Sequence, residues 1–89
     1  MSTLFVRGEV DLGTVAVLEG DLERAIAEGG DLTVDVSALD FVDMPGLHAL
    51  ARAARRMSAE GRRLRLRNPQ PYLRRLLSLL ELDHLIAEG

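Results

Sequence analysis

The sequence contains no cysteine and no lysine. Without cysteine there is no disulfide and no thiolate metal site, and nothing points to an oxidising compartment. Without lysine there is no Walker-type phosphate loop, and no Gly-x-Gly-x-x-Gly run replaces it. Aromatic residues make up 3% of the chain, namely Phe5, Phe41 and Tyr72. That is too few for a base-stacking surface, so nucleic acid is not an expected partner. The core must instead be built from Leu, Val, Ile and Ala. No apolar run approaches the roughly 18 residues of a membrane helix. No stretch combines a basic start, an apolar run and a small-residue cleavage site. The expected location is the cytoplasm, with no membrane insertion.

What is present is a chain of 89 residues, 47% hydrophobic, with a net charge of −3. Its length and composition predict a single globular domain over 1–89. The charge is unevenly distributed. Residues 1–51 hold ten acids and two arginines, and residues 52–89 hold nine arginines and four acids. Two readings stay open: the halves pack together and neutralise each other, or they present an acidic and a basic face to partners.

Leu4-Phe5-Val6 and Val10 read as a strand broken by Gly8. Gly13 and Thr14 open a helix with an apolar stripe of Val15, Leu18, Leu22, Ala25 and Ile26, and Gly29-Gly30 ends it. Leu32 to Val36 alternates and is rich in β-branched residues, as a strand would be. Phe41-Val42 is either a short buried strand or the wall of a loop. Asp43 is placed to cap a second helix, with Pro45 in its first turn. That helix has a buried stripe of Leu47, Leu50, Ala54 and Met57 and ends at Gly61. Arg62 to Arg67 is a third strand with Leu64 and Leu66 inward. Asn68-Pro69 reads as the cap and first position of a third helix, striped by Leu73, Leu76, Leu77 and Leu80. Leu82 to Ile86 is a short closing segment, read as a last strand. The alternation of strands and helices predicts parallel strands joined by right-handed crossovers.

Four segments, in order, resemble the STAS family of sulfate transporters and anti-sigma-factor antagonists. Gly8-Glu9-Val10-Asp11 is similar to the family's Gly-Glu-apolar-Asp signature. Val34 to Leu39 resembles its next strand and turn. Phe41-Val42-Asp43-Met44-Pro45-Gly46-Leu47 is similar to its apolar-Asp-Ser-Ser-Gly-Leu motif. Asn68-Pro69 through Ile86 resembles its closing elements. The resemblance spans roughly residues 4–87. It implies an α/β fold: a mixed, largely parallel sheet of about four strands with helices packed on one side. It also implies a docking role. Bacterial members bind a serine-kinase anti-sigma factor, which then phosphorylates the second serine of the motif and breaks the complex.

The chain departs from this pattern where the switch would operate. The phosphorylated serine falls on Pro45 and the serine before it on Met44, and neither side chain has a hydroxyl. Losing the acceptor removes the roughly −1.5 to −2 charges that would drive release. Pro45 has two readings: it helps the helix start, or it marks an antagonist permanently competent to dock. Ser37 is the remaining hydroxyl in a loop near the motif, read as a turn former or a regulated site. A second departure is that only seven residues precede Gly8, so the family's N-terminal hairpin is shortened or absent. A sheet edge left open there would allow pairing between two copies.

Asp43, Met44, Pro45, Gly46 and His48 are therefore the expected partner-binding residues. His48 and His84 read as exposed side chains rather than catalytic or metal groups, and two isolated histidines do not make a metal site. No catalytic set, metal or cofactor is expected. Arg52, Arg55, Arg56, Arg62 and Arg63 read as a basic cluster, either a solvated face or a protein-docking patch. The expected function is a protein-binding regulatory module that docks a kinase-type anti-sigma factor. The alternative is a STAS subunit binding the ATPase of an ABC lipid transporter.

Overall fold

A computed structural model describes residues 2–87. Strand β1 (Ser2–Phe5) is followed by β2 (Gly8–Val10); the break falls at Val6-Arg7, just before Gly8, which opens β2 with a φ of +72°. The two pieces enter different sheets. β1 joins β3 (Leu32–Asp35) and β5 (Leu64–Arg67) in the order β1-β3-β5, whereas β2 pairs with β4 (Leu39–Val42). Every strand pairing described is parallel, so the antiparallel partner that would make the sheet mixed does not appear among the described residues. Among the described residues β1 pairs with β3 alone, leaving its other edge without a strand partner.

Helix α1 (Val15–Ala27) buries Leu18, Leu22 and Ile26, and the left-handed Gly29 and Gly30 end it. Helix α2 (Met44–Ala59) buries Leu47, Leu50 and Met57 together with Gly46, Ala49, Ala51 and Ala53. Its small residues let it lie close to α1 and to the strands. Helix α3 (Pro71–Leu79) contributes Leu73 and Leu77. In the sheet, Leu32, Val34, Leu64 and Leu66 are buried in one core, while the alternate residues Thr3, Phe5, Arg65 and Arg67 are exposed. The period-two alternation thus gives a covered face and an open one.

The expected α/β architecture holds, with three local differences. α3 starts at Pro71 rather than Pro69, because Gln70, the residue before Pro71, is held extended (ψ of 158°) and so caps the helix instead of lying within it. Leu80 falls beyond the helix and is partly exposed, so the buried stripe is shorter than expected. The closing segment is a 3-10 turn over Asp83–Leu85, with a single parallel bridge from Ile86 to Leu66 in place of a full strand.

Two ion pairs between the helices join the acidic and basic halves of the chain. Arg52 bonds Glu19 at 3.1 Å and Arg56 bonds Glu23 at 2.5 Å. These pairs are half-exposed, so each is worth only a few tenths to about 1 kcal/mol.

Candidate docking surface at the start of helix α2

In parallel sheets, the loops at the carboxyl ends of the strands form the crevices that meet ligands. Here the carboxyl ends of β2 and β4 lie side by side, with Val10 opposite Val42. The Asp43 amide donates to the Val10 carbonyl at 3.0 Å, locking the two exits together. On the β2 side, the Asp11 carboxylate accepts from the amides of Gly13 and Thr14, forming a tight turn with Leu12 at its tip. That turn explains the terminal Asp of the Gly8-Glu9-Val10-Asp11 signature. On the β4 side, Asp43 caps α2: its carboxylate accepts from the Gly46 amide at 3.4 Å. Pro45 occupies the first turn, where a missing N–H costs nothing.

The surface around this start exposes three large apolar side chains. Leu12 is 77% exposed, Phe41 48% and Met44 43%, and His48 is exposed one turn on from Met44. Phe41 is therefore neither buried strand nor loop wall: β4 is a strand whose Phe points out opposite Glu9 while Val42 points in. Pro45 is half-buried at the accessible end of the helix. Asp43, Met44, Pro45 and His48 thus share one surface. Gly46 lies beneath it and is buried. A Cβ on Gly46 would stand 2.5 Å from Val42 Cγ2 and 2.8 Å from Val10 Cγ1, so this glycine lets the helix seat against both strands. Its contribution to the surface is to position its neighbours.

Beside Met44 and His48 a shallow groove of about 380 Å³ runs between α2 and the end of α3, lined by Ala51, Arg52, Arg55, Leu80 and Leu82. The expected basic cluster is dispersed. Arg52 and Arg56 face α1, and Arg62 bonds Glu60 and donates to the Ile26 and Gly30 carbonyls. Arg55 and Arg63 have no ion-pair partner among the described residues.

One polar centre was not read from the sequence. Asp35 is 5% exposed at the end of β3. It accepts from the Ser37 hydroxyl at 2.7 Å and amide at 2.9 Å, from Arg67 Nε at 3.1 Å and from Asn68 Nδ2 at 3.3 Å. The two Ser37 bonds, with help from Arg67 and Asn68, lower its carboxyl from 3.8 to about 2. Ser37 is thereby occupied as a turn former. The Asp-x-Ser spacing was the available signal. The same turn is held from α3, where Gln70 and Tyr72 donate to the Leu39 carbonyl. No group of three or more His, Asp and Glu side chains able to hold a metal occurs among the described residues. No helix there is long and apolar enough to cross a membrane.

Comparison with known proteins places this geometry. No curated protein matches the chain. Unphosphorylated SpoIIAA, an anti-sigma factor antagonist described elsewhere as a Bacillus cell fate determinant, superposes with a TM-score of 0.83 at 22% identity, covering 99% of this chain and 79% of that one. The Thermotoga maritima protein TM1081 gives 0.84 at 19% identity, covering 94% and 74%. The STAS domain of a SulP transporter from Vibrio cholerae gives 0.70 at 12% identity, covering 97% and 67%. These likenesses establish the fold. The family model described as "Mlab, STAS domain" matches residues 1–87. The chain belongs to the STAS domain family, a family of regulatory and binding modules.

Proposed function

We propose that this STAS domain is a docking module without an enzymatic step. It binds a serine-kinase-type anti-sigma factor through the start of α2 and remains competent to bind in the presence of ATP. The carrying observation is Pro45: it stands in the accessible first turn of α2, between exposed Met44 and His48, where the family motif has its phosphorylated serine. Met44 is a flexible, polarizable contact suited to such a surface. The likeness to SpoIIAA supports this partner class. In this reading the domain acts in the cytoplasm. Pairing of two copies through the open edge of β1 is a compatible assembly.

The test pairs the purified protein and a Pro45→Ser variant with the kinase-type anti-sigma factor encoded nearest to it. The unaltered protein takes up no phosphate and stays bound when Mg-ATP is added. Pro45→Ser takes up phosphate and dissociates. Phosphate on the unaltered protein, or its release by ATP, contradicts the proposal.

The missing hydroxyl equally favours a second reading, in which the chain is a STAS subunit on the ATPase of an ABC lipid transporter. Copurification with a permease and its ATPase, and with no anti-sigma factor, would select it.

A further inference from the structure

The groove beside Met44 does not end at Arg55. It opens into a larger one of about 610 Å³ between the second half of α2, the start of β5 and the closing 3-10 turn. The two share Ala51, Arg55 and Leu82. Together they follow the flank of α2 through Met44, His48, Ala51, Arg55 and Ser58, a helical stripe of about 21 Å at roughly 1.5 Å per residue. The floor of the larger groove is apolar, made by Ala54, Leu64, Leu85 and Ile86 together with Ala51 and Leu82. Its rim is cationic, with Arg55, Arg63 and Arg65 all exposed and none in an ion pair among the described residues. By contrast, Arg24, Arg52, Arg56, Arg62 and Arg67 each have a carboxylate partner.

Acids outnumber bases in the whole chain, 14 to 11, yet no Asp or Glu among the described residues lines either groove. A long strip with an apolar floor and unneutralised arginines at one end complements a segment that is apolar along one side and acidic at the far end. A nucleotide is less well matched, because no Phe, Tyr or Trp among the described residues lines the strip for a base to stack on, and its only rings are the imidazoles of His48 and His84.

We infer that the partner docks by laying an acidic amphipathic helix along this flank of α2. Its apolar side contacts Met44, Leu80 and Leu82, and its carboxylates meet Arg55, Arg63 and Arg65. This rests on the proposed docking surface and adds the chemistry of the segment that fills it.

The experiment is an amide chemical-shift titration of the full chain with three probes: a Glu/Leu amphipathic helical peptide of about 14 residues, its Lys/Leu counterpart, and dodecyl phosphate. The Glu/Leu peptide is expected to shift Met44, His48, Ala51, Arg55 and Ser58 together, and the Lys/Leu peptide to shift none. An Arg55→Glu/Arg63→Glu variant, with its fold checked by the unchanged amides of β3 and α1, binds the Glu/Leu peptide about tenfold more weakly. Equal response to both peptides, no response along α2, or saturation by dodecyl phosphate without any peptide response overturns the inference. The last outcome identifies a small anionic amphiphile as the occupant. If the acidic peptide fails while the anti-sigma factor still binds through Met44, the inference falls and the docking surface stands. If binding of that factor is indifferent to Met44, the docking surface itself falls.

Discussion

Asp35 shows how the burial of a single side chain can escape pattern alone. In the alternating run Leu32 to Val36 its polar character assigns it to the open face, and it does lie there. It is buried nonetheless, because Ser37, Arg67 and Asn68 close over it. Two of those partners come from a segment about thirty residues away, which local periodicity does not reach. Its lowered carboxyl means that the folded state favours the ionised form. The resulting stability is present above the ordinary carboxylate value and is lost as pH falls from about 4 towards 2. Asp35→Asn should therefore be less stable than the unaltered protein by about 1–2 kcal/mol at pH 7. Denaturant unfolding should show that gap shrinking as pH is lowered through the same range. A gap independent of pH would mean that the carboxylate charge is not what holds the turn. Pro45, by contrast, was fully legible, since its fixed φ and missing N–H allow it in a helix's first turn and its residue type alone removes the phosphate acceptor.

At the scale of elements, α2 is decided by packing against its own helix propensity. Replacing a helical glycine with alanine favours an isolated helix by up to about 1 kcal/mol. At Gly46 the added Cβ would fall 2.5 Å from Val42 and 2.8 Å from Val10, inside contact distance of two buried β-branched side chains. Overpacking of this kind costs about 1–3 kcal/mol. Gly46→Ala is thus expected to lower the midpoint of urea unfolding, and a raised midpoint would show that the helix sits more loosely than described. The same competition explains which ends could be read from sequence. The start of α2 carries its own signal in Asp43 and Pro45. The start of α3 has two candidate prolines, and the choice between them turns on Gln70, whose extended backbone caps the helix just before Pro71. The closing segment is short and pairs through one bridge, so it never develops a strand's alternation.

At the scale of the whole molecule, the order of strands and helices foretold a parallel α/β fold. It did not foretell that the chain before α1 would divide between two sheets. Gly8 was visible as a break, but only the pairing of β1 with β3 and of β2 with β4 shows that the chain changes sheet there. That division brings the exits of β2 and β4 together and sets Leu12, from the turn before α1, beside the Phe41, Met44 and His48 segment. It also leaves a competing exposed site: Phe5, 57% exposed on the uncovered sheet face, is more accessible than Met44 at 43%. A comparison of Met44→Glu with Phe5→Glu separates the two faces, since both variants place the same charge at an exposed apolar position. The deciding measurement is the affinity of each for the anti-sigma factor by titration calorimetry. Met44→Glu should bind at least about tenfold more weakly, a loss of roughly 1.4 kcal/mol, and Phe5→Glu should bind as the unaltered protein does. Undiminished binding by Met44→Glu, with Phe5→Glu impaired, would place the partner on the open sheet face and contradict the account.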